Sequence, residues 1–256
     1  MDIPIIKTTE EIEKMRKGGQ ILASIFAELA QMVKAGMDTW EFEEKFLELC
    51  KKNNAKPACK GYAPWGFPPF PTGLCLGINE QAVHCFPKKG RKLKEGDVLT
   101  FDADLEYKGM YVDHAITIGI GKISEERQKL LKTTKKSLDE TVKLVKPGVK
   151  TGVLSSSIQK IAEGAGFSVV RQYAGHGIGK FMHELPEIPC FGEKNEGEVL
   201  KSGMTLAIEP LVCENDYDLI HDGYWHTQTA DGGDFAQFEH TVLVTDTGYE
   251  ILTLTK

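Results

Sequence analysis

FDADLEYKGMYVD, residues 101–113, decides how the rest of this chain reads. It sits within two apolar, strand-like runs, VLTFDADL (98–105) and YVDHAITIGI (111–120), joined by a turn signal at Lys108–Gly109. The pattern predicts a β-hairpin with Asp102 and Asp113 in its body. Period-two alternation puts Asp102 and Asp104 on one face and Phe101, Ala103 and Leu105 on the other. A carboxylate on a half-buried strand needs a cation or hydrogen-bond donors. Two of them across one hairpin point to a metal site as readily as to satisfied structural groups.

The same words recur in the second half. VKAGMDT (33–39) is echoed by VKPGVKT (145–151). LKEGDVLTFDADL (93–105) is echoed by LKSGMTLAIEPLV (200–212), which aligns Asp102 with Glu209. VDHAITIGIG (112–121) is echoed by FEHTVLVTDTG (238–248), which aligns Asp113 with Glu239. Acids at matched positions predict a pseudo-two-fold domain with four carboxylates converging on its axis. Facing one another in an apolar site, they cannot all stay ionised without cations. Bridging divalent ions, two of them ~3.5–4 Å apart, would satisfy them. His176, in GHGIG (175–179), has no acidic counterpart in the first half. A lone histidine in a glycine-rich turn is more often structural, but beside four acids it becomes a nitrogen-ligand candidate. Oxygen-rich ligands with one imidazole favour Mn, Fe or Co over a thiolate zinc site.

Around these motifs the chain alternates helices and strands. Thr8 to Glu11 reads as a capping box, and the helix it opens stops at Gly36. Gly18-Gly19 inside that helix predicts close backbone packing. Asp38 or Thr39 caps a second helix, Ser124 a third and Thr151 a fourth. Residues 63–73, APWGFPPFPTG, form a loop. Residues 75–86 read as strand–turn–strand carrying His84, residues 204–213 as a strand carrying Glu209, and 238–245 and 249–255 as a closing pair, the first with Glu239. A net charge of −6 argues against nucleic acid as a partner. The six cysteines make no CxxC pair and read as free thiols of a reducing compartment. The N-terminus lacks a signal-peptide pattern and no apolar run spans a bilayer, so a cytoplasmic protein without membrane attachment is expected.

Asp102, Asp113 eleven residues on, His176 in GHGIG, Glu209 in IEP and Glu239 in FEHT resemble the five metal ligands of type I methionine aminopeptidases, in the pita-bread metallopeptidase superfamily. The resemblance spans nearly the whole chain and is to the short bacterial form, because the cysteine-rich extension of eukaryotic members is missing. It implies an α/β (α+β) pita-bread fold, pseudo-two-fold antiparallel sheets flanked by helices. It implies one catalytic domain over residues 1–256, in halves of about 1–123 and 124–256. The implied activity is removal of the initiator methionine from nascent proteins and peptides with a small second residue, by a metal-activated water. Two divalent ions are implied (Mn, Fe or Co, with Zn admissible). Asp102 would chelate one, His176 and Glu209 the other, and Asp113 and Glu239 would bridge.

Glu209 would shuttle the proton. His183 would stabilise the oxyanion or scissile amide, and His84 would contact the amide nitrogen of the second residue. By the same resemblance Cys59, Tyr62, Cys75, Met182 and Trp225 line the pocket for the first side chain. The chain departs from the family in several places. The loop after Tyr62 is long, leaving Trp65, Phe67 and Phe70 as competing pocket aromatics. Met182 stands where Phe is usual, and Asp104 and His114 where small hydroxylated residues are usual. Phe235 stands where some members bind a monovalent cation through Ser, so that ion is not expected. The implied partners are N-terminal peptides of nascent chains, with ribosome association and a monomeric state. The competing enzyme reading is an Xaa-Pro aminopeptidase or prolidase, which usually carries a further N-terminal domain, for which a helix starting near Thr8 leaves no room. A non-catalytic peptide-binding relative is the other alternative, and such relatives lose ligands that are all present here.

Overall fold

Lys108 and Gly109 both take positive φ, 52° and 81°, as a two-residue hairpin turn of type I′ requires. The hairpin they close is the centre of the computed structural model, which describes residues 3–255 apart from the side chain of Trp65. In chain order, α1 (Thr9–Met32) and α2 (Thr39–Lys52) precede β1 (Lys56–Pro57), β2 (Cys75–Ile78), β3 (Val98–Tyr107) and β4 (Met110–Gly119). Then come α3 (Glu125–Val142), α4 (Thr151–Gly164), β5 (Ser168–Val169), β6 (Ala174–Gly177) and β7 (Glu184–Pro189). The chain closes with β8 (Thr205–Ile208), β9 (Leu211–Cys213), β10 (Leu219–Asp222), β11 (His226–Thr229), β12 (Phe235–Gln237), β13 (Glu239–Val244) and β14 (Tyr249–Ile251).

The main antiparallel sheet runs β1-β3-β4-β13-β8-β6-β7, with β2 on β3 and β14 on β13. The sequence repeat matches β3 with β8 and β4 with β13. The order β3-β4-β13-β8 therefore reads alike from either end, with the pseudo-two-fold axis between β4 and β13. Two small sheets, β12-β9-β5 and β10-β11, complete the fold.

Helices cover one face of the main sheet. The Thr8 side chain and Glu11 form both bonds of the capping box that starts α1. Its apolar stripe, including Met15, Leu22, Phe26 and Leu29, packs with Phe101, Ala103, Leu105 and Val112 of the hairpin. A Cβ on Gly19 would stand 2.3 Å from the Leu252 carbonyl oxygen, so the glycine permits the close approach of the chain end to α1. Asp38 caps α2 with Glu41 in a second capping box, and Ser124 caps α3. Leu130 and Leu138 of α3 and Leu154 and Ile158 of α4 share the other core with Leu206, Ile208, Val242 and Val244.

Three local expectations are corrected. Thr151 is the first residue of α4 rather than its cap; Lys150 holds the cap position without a side-chain bond, and the Thr151 hydroxyl instead accepts from Glu198 N–H at 3.2 Å. The strand expected over 204–213 breaks at Glu209-Pro210, where proline has no N–H for a ladder and the chain passes from the main sheet to a small one. After β2 no second strand forms; Asn79 and His84 take positive φ, 56° and 63°, and an irregular turn presents His84. All six cysteines are free and buried. Among the described residues no helix is long and apolar enough to cross a membrane.

Candidate active site

Ala115 on β4 is the register partner of both Asp102 on β3 and Glu239 on β13. One row thus runs Asp102–Ala115–Glu239 across three strands. Two residues along, Asp104 lies opposite Asp113. On the other flank Thr241 lies opposite Ala207, and Ala207 opposite His176. Residues two apart on a strand share a face, so Asp102, Asp104, Asp113, Glu239 and His176 all lie on the face away from α1. The methyl side chains of Ala115 and Ala207 leave room between them. Donor atoms of Asp113, His176 and Glu239 lie within 4.8 Å of one another. Glu209, just past β8, has its carboxylate 3.9 Å from His176 Nε2.

Gln237 ties the two flanking acids together. Its Nε2 donates to Glu209 Oε2 at 3.2 Å, and its side chain lies near enough to Asp102 to favour the ionised carboxylate. Sequence reading missed this residue, although its place two before Glu239 was a usable signal.

The electrostatics are those of a site made for cations. Burial pushes Asp102 up to about 7, against the pull of Gln237 and Asp113. Burial, then the neighbouring carboxylates, push Asp113, Glu209 and Glu239 well above the usual range. Among the described residues, both Glu239 carboxylate oxygens and Asp104 Oδ1 are buried without a hydrogen-bond partner. His176 Nδ1–H donates to the Gly177 carbonyl at 2.9 Å, which turns the Nε2 lone pair toward the acids. Burial pulls its pKa down to about 3, so the ring is neutral near pH 7. Orphaned carboxylate oxygens beside a neutral imidazole fit divalent cations.

Two more histidines border these groups. His183, exposed, sets its ring 4.6 Å from that of His176, and Tyr62 Oη lies 3.3 Å from its Nδ1. His84 packs edge-on against Tyr173 and Trp225. Burial and the nearby His183 pull His84 down to about 4, and the neighbours crowding the His183 ring, which keep water from it on one side, lower His183 as well.

Cys59, Phe70 and Cys75 form a small apolar cluster with Tyr62, Phe86 and Trp225. It begins beside the acids, because Cys75 is the register partner of Asp102. Of the competing loop aromatics, Phe70 enters this cluster, with its ring 5.1 Å from Trp225. Phe67 meets Trp225 and Tyr224 edge-on, and the Trp65 side chain lies outside the described residues. Phe86 had not been anticipated. Met182 is half-buried beside His183 and is not packed against the cluster. His114 points away from the acids, stacked on His240 at 5.0 Å and tilted against Phe26 at 4.9 Å, with Nδ1–H donating to the Glu239 carbonyl at 2.5 Å. It supports the sheet from behind.

Residues 13–246 match the model of metallopeptidase family M24. The methionine aminopeptidase of Aquifex aeolicus is 41% identical over 249 residues, covering 95% of this chain and 96% of that protein. The crystal structure of the Thermotoga maritima methionine aminopeptidase superposes with a TM-score of 0.94 at 41% identity, covering 98% of this chain and 100% of that one. The prolidase from Pyrococcus furiosus has a TM-score of 0.79 at 23% identity, over 100% of this chain and 67% of its own, a likeness of fold alone. The chain belongs to metallopeptidase family M24, among the methionine aminopeptidases.

Proposed function

We propose that this chain is a metalloaminopeptidase that removes N-terminal methionine from peptides and nascent proteins whose second residue is small. One observation carries the reading: carboxylates from three adjacent strands share one face with a neutral imidazole, and both Glu239 oxygens lack a partner. Asp102, Asp113, His176, Glu209 and Glu239 would hold two divalent ions of the Mn, Fe or Co type, with zinc admissible. Such ions, when bound, supply Lewis acidity to the scissile carbonyl and make water nucleophilic at neutral pH.

The chain's own groups do the rest. Glu209, oriented by Gln237, takes a proton and passes it to the leaving amine. His183 and His84 are neutral near pH 7 and act as hydrogen-bond groups, His183 toward the developing oxyanion and His84 toward the amide of the second residue. Cys59, Tyr62, Cys75 and Trp225 receive the first side chain, with Phe70 and Phe86 completing the walls and Met182 at the His183 side. A thioether gains from sulfur–aromatic contact there. Because Cys75 stands beside Asp102, a methionine seated in this cluster brings its free amine to the Asp102 side. That accounts for an exopeptidase.

Residues 1–256 act as one catalytic domain whose halves, about 1–123 and 124–256, meet along β4 and β13. The enzyme works as a cytoplasmic monomer on chains emerging from the ribosome. Competition among Met-Ala, Met-Lys, Leu-Ala and Ala-Pro peptides with free amines tests the reading. Met-Ala is expected to be cleaved fastest and Met-Lys slowly, because His84 and loop 63–73 crowd the second residue. Preference for Ala-Pro would make the chain a proline-directed peptidase instead.

A further inference from the structure

Asp104 is a fifth carboxylate in this site, and none of the roles above uses it. It is 6% exposed and lies directly opposite Asp113 across the β3–β4 ladder, on the face it shares with Asp102. One oxygen, Oδ2, accepts from Cys59 Sγ–H at 3.5 Å. The other, Oδ1, is buried with no partner among the described residues.

A thiol is a weak donor. It does little for a carboxylate that faces two more carboxylates in a site shielded from water. Such a group must either keep a proton or meet a cation, and Asp104, with its orphaned Oδ1, lies across the ladder from Asp113 and two residues from Asp102, acids already read as cation ligands.

We propose that Asp104 is a further carboxylate donor to the metal centre, on the side of Asp102 and Asp113. The proposal rests on the metal reading given above. Asp113 would then be flanked by anionic oxygen on β3 as well as β13, and the ion on the Asp102 side would take its donors from both strands of the hairpin. More carboxylate oxygen around one ion tightens its hold and suits hard ions such as Mn²⁺ better than Zn²⁺.

The test uses the full-length chain stripped of metal, as wild type, Asp104→Asn and Asp104→Ser, with Asp102→Asn as the benchmark for a lost ligand. Asn keeps the shape of Asp104 and Ser removes it. Both substitutions relieve repulsion among buried acids, so both metal-free variants should melt no lower than metal-free wild type. Mn²⁺ is titrated by calorimetry, and bound ions are counted by electron paramagnetic resonance. The expected result is at least a tenfold weakening of the tighter Mn²⁺ site in both Asp104 variants, with a smaller rise in melting temperature on adding Mn²⁺. If both variants bind Mn²⁺ within twofold of wild type while Asp102→Asn does not, Asp104 is a structural acid and this proposal falls alone. If wild type itself takes up no Mn²⁺, the metal reading falls with it.

Discussion

Replacing Lys7 with methionine tests whether the N-terminal segment holds part of the site in place. Lys7 and Glu184 form an ion pair with side chains 1% and 0% exposed. Glu184 also accepts from the backbone N–H groups of Lys180 and Phe181 at 2.6 and 3.0 Å. Lys7 N–H donates to the Gly203 carbonyl at 2.8 Å, and Lys180 pairs with Glu11 at 2.9 Å. The segment before α1 thus pins loop 179–184, which carries Met182 and His183. Lys7→Met keeps the apolar stem and leaves a buried carboxylate without its cation. Removing one partner of a buried pair costs about 3–5 kcal/mol. Glu184 keeps two charge-assisted backbone bonds, each worth about 1.5–3 kcal/mol, so the expected loss is at the lower end, about 3 kcal/mol. Urea unfolding of the metal-loaded protein at fixed m reads it. Removing the second charge should restore most of that loss, because eliminating both members of a buried pair is often nearly neutral. Lys7→Met/Glu184→Gln is therefore expected to be more stable than Lys7→Met. Cleavage of Met-Ala by Lys7→Met should fall with metal content unchanged, since His183 is displaced and the acids are not. A loss below about 1 kcal/mol, or a double variant no more stable than the single, would refute the reasoning.

Metal removal and pH act together on the acids. Asp102, Asp113, Glu209 and Glu239 hold protons more tightly when folded than when unfolded. Their folded-state pKa values are raised, so the stability they lend is full below the ordinary carboxylate range and is lost as pH rises through it toward about 7, the value for Asp102. Chelated protein should therefore melt lower at pH 7.5 than at pH 5, whereas adding Mn²⁺ at pH 7.5 should raise the melting temperature and release protons; a chelated form more stable at pH 7.5 would count against the burial of these acids. In α1, Gly19→Ala should destabilise more than Gly18→Ala. An added Cβ meets the Leu252 carbonyl at 2.3 Å in the first case and Tyr107 Cβ at 3.2 Å in the second. About 1 kcal/mol of helix propensity gained is set against about 1–3 kcal/mol of overpacking, and equal unfolding midpoints would show that the helix shifts freely.

Much of the centre was legible because an acid inside an apolar strand is conspicuous, and here the acids recur at matched places in two halves. Strand order was not legible in the same way. That Ala115 pairs with both Asp102 and Glu239 depends on β4 lying beside β13, and hydrophobic periodicity says nothing about which strands become neighbours. Gln237 stood two residues before Glu239, but its bond to Glu209 forms only once β12 and the end of β8 come together. The capping residue of α4 turned on a one-residue difference in backbone geometry, which composition around Thr151 does not resolve.

His114 and Asp104 separate the two kinds of nearness in a strand. Both are close in sequence to an acid of the centre. His114 is adjacent to Asp113, and adjacency along a strand means opposite faces. Its ring accordingly packs on Phe26 and His240, where burial pulls it down to about 4 and keeps it neutral. Asp104 is two residues from Asp102 and faces Asp113 across the ladder, so it shares their surface, and its Oδ1 is buried there without a donor. Of the two, then, His114 is absorbed by the helix-covered core and shapes the sheet from behind. The other adds negative charge where the cations would sit, and there a change of one side chain alters metal affinity without disturbing the fold.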